Sequence, residues 1–315
     1  MARGYPQRKR QSSGIAPQNL WDMQEEENVG IGLLGQVCVN ALMLSSIYVL
    51  MALGFALLLS IMGVLNFAHS VIYMVGGYVC YQLAVVAGVS QWLSLLLATA
   101  IVGSFGLVLE RACFRPFFGD PNRTMVMALA LIVIMESVVN ILVGSYVRSL
   151  PSFAPGVLRW QGVSISRERV VTFAIGAALM AVLMTLIRKT RLGQQMLAVS
   201  QEPVGAVLQG IDIFRVSAVA TVIACALAAV AGSLMGAIIN LNPFMGDQML
   251  VKAIEVVIVA GIGSIGGVAV AGLILGTIDS FLPLLLSGSA TDAVGLAIVI
   301  LILLFRPQGL FGHAV

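Results

Sequence analysis

Apolar runs long enough to cross a bilayer alternate along this chain with short polar breaks, and that alternation is its dominant pattern. A spanning helix needs about 20 predominantly apolar residues. Candidate runs cover Val71–Ala87, Trp92–Leu109, Met125–Tyr146, Val170–Ile187, Val216–Ile239, Met249–Ile262, Val268–Leu286 and Ala293–Phe305. The first run, Ile31–Phe67, is too long for one simple span. As a single helix it would reach ~55 Å, nearly two hydrocarbon thicknesses. It reads either as one span with an extended end or as two spans broken near Ser45-Ser46. Met249–Ile262 is short and carries Lys252 and Glu255, which suits a tilted or broken helix. The pattern predicts an all-α, polytopic membrane helix bundle of 8–10 transmembrane helices, ten if the first run is split.

Small residues recur inside these runs. Gly232-Ser-Leu-Met-Gly236 and Gly272-Leu-Ile-Leu-Gly276 have GxxxG spacing, with Ala228, Ala229 and Ala231 beside the first. Lipid supplies no hydrophobic drive between helices, so close backbone approach at small residues is a main source of packing. Two such motifs together point to a tightly packed bundle rather than to separate anchors. Gly261-Ile-Gly-Ser-Ile-Gly-Gly267 places Gly261, Gly263, Gly266 and Gly267 around Ser264 between apolar runs, where a helix should break.

Composition sharpens the class. Of 315 residues, 59% are hydrophobic and only 10% charged. That leaves too little polar surface for a water-soluble domain and is the opposite of a disordered composition. The net charge of +3 comes without a basic and aromatic groove, so nucleic acid is not a partner. Cys38, Cys80, Cys113 and Cys225 are scattered among apolar residues and read as small buried hydrophobes, not metal ligands. The lysines are Lys9, Lys189 and Lys252, and no phosphate-binding Gly-x-x-x-x-Gly-Lys-Ser/Thr occurs, so ATP is not hydrolysed here by that route.

Residues 1–29 hold four basic and four acidic side chains with no apolar signal-like core and read as a polar mobile tail; residues 30–315 form the membrane domain. Orientation follows the short-loop arginines and lysines. Arg111, Arg115 and Arg123 in one loop, and Arg188, Lys189, Arg191 and Arg215 in another, are separated by two spans and so share a side, taken as cytoplasmic. The intervening loop 147–169 carries Arg148, Arg159, Arg167 and Arg169 and opposes this count without outweighing it. The basic tail and Arg306 join the cytoplasmic side if there are ten spans.

Three features carry candidate chemistry. Asn66-Phe67-Ala68-His69-Ser70 puts an amide and an imidazole between apolar runs; the residues alone leave it open between an interfacial loop and a functional polar site. Among charges inside spans, Glu136 and Asp279 lie deepest, and Lys252 and Glu255 at i, i+3 can neutralise each other. Residues 188–215 mix apolar and polar positions as short helices at the membrane surface, with Pro203 near the start of the second. Their apolar side needs a partner protein or the membrane to cover it.

In these features the chain resembles the permease subunits of branched-chain amino-acid ABC importers, the LivH-type subunit in particular, from about residue 33 to 312. The match lies in Leu53-Gly54-Phe-Ala-Leu, Met62-Gly63-Val64-Leu65-Asn66-Phe67-Ala68-His69, Arg188-Lys-Thr-Arg-Leu-Gly193, Gly261–Gly267 and Phe305-Arg306-Pro307-Gln308-Gly309-Leu310-Phe311-Gly312. Ser70-Val71 stand where the family usually has Gly-Glu. The resemblance implies an integral-membrane importer subunit of the bacterial cytoplasmic (inner) membrane, for branched-chain amino acids or related small polar solutes. It implies Asn66, Phe67 and His69 at the substrate path or gate, and 188–215 as a cytoplasmic coupling loop in which Arg191, Gly193, Glu202, Ala206, Leu208, Gly210 and Ile211 couple to an ATPase. It also implies a helix break at Gly261, Gly263, Ser264, Gly266 and Gly267. The implied partners are a second permease subunit (a distinct homologue), two cytoplasmic ATPase subunits, an extracytoplasmic substrate-binding protein and membrane lipid. No cofactor is expected on this chain, which is no enzyme itself; ATP belongs to the partner subunits. The alternative is an ion-coupled secondary transporter or channel using Glu136 and Asp279.

Overall fold

A computed structural model describes residues 18–160, 163–261, 263–286 and 289–312. Eleven α-helices dominate them: α1 (Gln18–Met62), α2 (His69–Tyr81), α3 (Gln91–Leu109), α4 (Pro121–Val143), α5 (Arg167–Lys189), α6 (Arg191–Gln201), α7 (Pro203–Leu208), α8 (Ile213–Ile239), α9 (Met245–Ala260), α10 (Ile265–Phe281) and α11 (Ser289–Phe305). Counting continuous helical extensions, 7 helices among the described residues are long and apolar enough to cross a membrane, and Ala290–Phe305 is a shorter apolar helix. With α9, also short, these make nine apolar helices among the described residues, within the 8–10 the pattern predicts and one fewer than a split first run would give.

The first run does not split. α1 passes through Ser45 and Ser46 without a break because each hydroxyl is satisfied nearby. Ser46 Oγ donates to the Met43 carbonyl one turn back (2.7 Å), and Ser45 Oγ to the Leu273 carbonyl of α10 (3.3 Å). The serines serve instead as small contact points, Ser45 against Gly276 of α10 and Ser46 against Gly176 of α5. Both GxxxG motifs are helix crossings of the same kind. Gly272 and Gly276 back onto Val49 and Ser45 of α1, and Gly232 backs onto the Tyr73 carbonyl of α2. Gly76 of α2 in turn meets Ala229, where a side-chain carbon added to the glycine would lie 2.8 Å from the alanine Cβ.

These contacts also set the direction of α1. Gly176 of α5 adjoins Ser46, while Gly266, at the start of α10 and so beyond Gly272 and Val49, faces Arg188 at the end of α5. Hence α1 and α5 run parallel, and Met62 lies at the 188–215 end. An unbroken α1 therefore puts its beginning at the opposite end, with residues 147–169. The expectation that the tail joins the 188–215 side required ten spans with a split first run, and the described residues show no split. Residues 1–17 of the expected tail 1–29 lie outside the described residues, and from Gln18 the backbone is helical. Arg306 does lie at the 188–215 end. The segment after it folds under the bundle, where the Leu310 and Phe311 amides donate to the Val259 and Ala260 carbonyls at the end of α9 (2.8 and 3.0 Å).

Residues 147–169 are not a plain loop. They contain the antiparallel hairpin β1 (Val157–Trp160) and β2 (Val163–Ser166), the one strand pair among the described residues. Val163 and Ile165 alternating with Ser164 and Ser166 give β2 the period-2 pattern that marks a strand; β1, Val-Leu-Arg-Trp, has none. Glu168 is buried beside it and accepts hydrogen bonds from Ser152 and from the Ala154 amide. At the other end, Asp120, Thr190, Asp212 and Ser264 cap α4, α6, α8 and α10 with side-chain oxygens.

Candidate functional site

The largest described concavity is about 720 Å³. Its walls come from five helices: Leu44 and Tyr48 of α1, Tyr73 of α2, Met235 and Ile239 of α8, Met245 to Glu255 of α9, and Asp279 and Pro283 at the end of α10. Thr291, Asp292 and Leu296 of α11 close it. The rim is built from the ends of α8 and α10 and the start of α11, so the cavity opens toward the 147–169 side. This half-open shape follows from the sequence of α8 and α9. Asn240 ends α8 with φ +85°, Leu241 packs onto Gly77 and Gly236, and α9 starts inside the bundle rather than at its surface.

An ionic cluster forms the floor. Lys252 Nζ lies 3.0 Å from Asp279 Oδ2 and 3.3 Å from Glu255 Oε2. Tyr48 donates its hydroxyl to the same Asp279 oxygen at 2.8 Å. The Lys252, Glu255 and Asp279 side chains are 15%, 7% and 10% exposed. Unpaired, each such charge would cost about 2.5–3.5 kcal/mol within a membrane, so their mutual contact is the condition for keeping them there. The expected pairing of Lys252 with Glu255 is present, and it is incomplete. The lysine is shared with Asp279, and Glu255 Oε2 accepts no hydrogen bond among the described residues. One lysine against two carboxylates leaves the floor with a formal charge of one negative.

Sequence reasoning paired Lys252 with Glu255 and singled out Asp279 separately, did not join the three, and missed Tyr48. A usable signal was there: opposite charges in two apolar runs seldom persist unless they meet. Glu136 is on α4 and does not line the cavity, so the two carboxylates of the ion-coupled alternative do not form one site.

Asn66, Phe67 and His69 lie elsewhere. After Met62 the chain turns back, and α2 begins at His69 inside the bundle. His69 is fully buried, with Nε2 3.2 Å from the carbonyl of Met51, eleven residues or ~16 Å before the end of α1. Gly54 makes this possible, since a Cβ there would stand 2.9 Å from the imidazole. The Asn66 side-chain oxygen accepts the Ala68 amide at 3.1 Å, and its carbonyl accepts the His69 amide at 3.1 Å. Phe67 is partly buried and packs on the core, while its carbonyl accepts both the amide and the hydroxyl of Ser70 (3.2 and 3.0 Å). The three residues therefore build the re-entrant start of α2, away from the cavity lining.

The 188–215 segment is the expected pair of short helices, α6 and α7, with Pro203 opening the second. Gly193 is wedged against the backbone of Leu186 and Ile187, and its amide donates to Thr190 Oγ1 (3.0 Å), which sets a tight α5–α6 corner. Met196, Val199 and Ala206 face inward. Arg191 and Glu202 are exposed, and the Glu202 carbonyl accepts the Ala206 amide at 3.0 Å. Gly210, at φ +81°, turns the chain so that the Ile211 amide reaches the Ala206 carbonyl (3.0 Å). Outward the pair presents Val204, Val207 and Leu208, the last 83% exposed. The same end holds Arg115, whose guanidinium stands 4.4 Å from the ring centre of Phe214 at the start of α8.

The glycine segment separates α9 from α10. Gly261 and Gly263 take φ of +95° and +88°, Ser264 Oγ accepts the Gly267 amide at 3.1 Å, and Gly266 stands near Arg188. Gly261 lies directly against Gly309 and Gly312 of the terminal segment, an approach only glycines permit and one that no spacing in the sequence announces.

Comparison with known proteins bears on this architecture. The family described as branched-chain amino acid transport system / permease component matches residues 37–304. The high-affinity branched-chain amino acid transport system permease protein LivH of Escherichia coli is 32% identical over 297 residues, covering 88% of this chain and 95% of that protein. BraD of Pseudomonas aeruginosa, described in the same words, is 32% identical over 294 residues with the same coverage. A probable LivH of Methanocaldococcus jannaschii is 27% identical and covers 87% and 91%. Among solved structures, a chain of PsaBC from Streptococcus pneumoniae in complex with Fab aligns with a TM-score of 0.51 at 11% identity, covering 90% of this chain and 97% of that one, and so shares the fold.

Proposed function

This chain belongs to the family of branched-chain amino acid transport permease components, and from that premise we propose that it is the membrane-spanning subunit of an ATP-driven importer of branched-chain amino acids in the bacterial inner membrane. The observation that carries the ATP-driven part is the α6–α7 pair. Two short helices at the cytoplasmic end turn Val204, Val207 and Leu208 outward, and an isolated transporter has no use for such a surface. Two cytoplasmic ATPase subunits dock there and bind the ATP; this chain itself needs no cofactor. Closure of the ATPases pushes on Glu202, Ala206, Leu208, Gly210 and Ile211, and the rigid corner at Arg191 and Gly193 passes that motion into α5. The chain pairs with a distinct homologous permease, and an extracytoplasmic binding protein delivers the solute to the cavity mouth.

Alternating access requires two packings of one bundle that a partner can bias. Two breaks supply the joints: the re-entrant turn Asn66, Phe67 and His69, which acts as the gate below the cavity, and the Gly261–Gly267 break, where α9 and α10 pivot on the terminal segment.

The test is uptake by the whole complex. Purification in mild detergent should bring down an ATPase, and leucine uptake should persist with a proton uncoupler while ATP remains. Glu202→Lys and Gly210→Trp should each abolish uptake with the chain still inserted. Normal uptake in both variants, or uptake that collapses with the uncoupler at constant ATP, would overturn the reading.

A further inference from the structure

The cavity floor has a chemistry that packing alone does not require. A buried ion pair kept only to hold helices together would be balanced, whereas this one has two carboxylates for one lysine. The unbalanced member borders the cavity: Glu255 is 7% exposed, and its Oε2 touches Lys252 at 3.3 Å without receiving a hydrogen bond. Lys252 has three N–H groups and only two carboxylates beside it, which leaves at least one donor to offer. Above this floor the aliphatic side chains Leu44, Met235, Met249 and Leu296 form one part of the wall, and Asn240, Asn242, Gln248 and Asp292 form the more polar part toward the mouth. A volume of about 720 Å³ lies within the range of small-ligand sites.

We propose that this floor is a binding site for the charged end of an aliphatic amino acid. The solute's ammonium is held by Glu255 and Asp279, its carboxylate takes the remaining Lys252 donor, and its side chain lies against the aliphatic wall. Tyr48, through its 2.8 Å hydrogen bond, keeps the Asp279 carboxylate aimed inward and acts as a positioning residue. The net negative charge makes the ammonium the stronger determinant. This rests on the reading of the chain as an amino-acid permease, and it adds that the permease itself, not only a delivering protein, recognises the solute.

The experiment is equilibrium binding to the purified complex in nanodiscs, without any binding protein. Three probes share one aliphatic tail: leucine, isoamylamine (ammonium only) and 4-methylpentanoate (carboxylate only). In the unaltered protein, leucine should bind tightest and isoamylamine at least ~10-fold better than 4-methylpentanoate. Glu255→Gln should weaken leucine and isoamylamine at least ~10-fold and leave 4-methylpentanoate unchanged or improved. Tyr48→Phe should weaken leucine less than Glu255→Gln does. Equal binding of the amine and the acid in the unaltered protein overturns the proposal. So does unchanged leucine affinity in folded Glu255→Gln. Should that variant misfold, the probe series in the unaltered protein decides. If the complex neither binds nor transports leucine, the branched-chain reading fails, and the direct comparison of isoamylamine with 4-methylpentanoate still decides whether the floor is an ammonium site.

Discussion

Gly276→Ala is the smallest change that should separate α1 from α10. An added Cβ at 276 would stand 2.5 Å from the Ser45 amide nitrogen and 2.6 Å from its Cα. Comfortable carbon contacts begin near ~3.5 Å, so the helices must part by about 1 Å at this point. Ser45 Oγ stands closest of all and can turn away, but the other two atoms are backbone, which no rotamer change can clear. Overpacking of this kind costs about 1–3 kcal/mol. The same displacement acts on the hydrogen bond that links the two helices across this crossing, where Tyr48, one turn beyond Ser45, donates to Asp279, one turn beyond Gly276, at 2.8 Å. Moved by about 1 Å, that contact leaves hydrogen-bond range, with loss of a bond to a charged group worth about 1.5–3 kcal/mol. The expected total is about 2.5–6 kcal/mol, a fall of at least ~5 °C in unfolding midpoint. The assay is thermal unfolding of the detergent-solubilised complex alongside leucine uptake in proteoliposomes. Val270→Ala on the same helix, at an exposed position facing lipid, is the control and should change little. Ser45→Gly added to Gly276→Ala should restore only part of the stability, because it removes the hydroxyl contact and leaves the two backbone ones. An unaltered midpoint in Gly276→Ala, or full rescue by Ser45→Gly, would refute the close crossing.

Two further outcomes follow from other contacts. Leu208→Asp alters a side chain that is 83% exposed and should leave the chain folded while it loses its co-purifying ATPase; retained ATPase would argue that α7 docks nothing. Gly309→Ala places a Cβ 2.5 Å from Gly261 Cα at a φ of +79° and should release the terminal segment from α9, read as faster proteolytic loss of the C-terminus with the bundle intact.

Much of the bundle is written in local signals. Runs of apolar residues must be helical in lipid, because every backbone polar group needs a partner within the segment. The α6–α7 pair was legible for the same kind of reason: apolar positions at helical spacing, a proline at a helix start and a glycine at a turn. The split at Ser45-Ser46 failed because a serine in a helix is ambiguous by itself. Its hydroxyl either competes with the backbone or bonds back to it while the small side chain admits a neighbour, and only α5 and α10 decide between these. The hairpin at 157–166 was passed over because its alternation spans few residues beside runs several times longer.

The candidate site was less legible, and the reason is distance along the chain. Tyr48 and Asp279 are 231 positions apart, and nothing local to either announces the other. By itself the sequence determined the solvent, the class, the positions of most spans, the short α6–α7 pair and the family, since all of these depend on composition, periodicity or ordered motifs. The tertiary structure alone decided that the first run is one helix with its start at the hairpin end, that His69 packs against Met51 instead of facing the cavity, and that one lysine is shared by two carboxylates under a tyrosine. Each of these depends on which small residues let two helices approach, and that is a property of pairs of surfaces brought together only by folding.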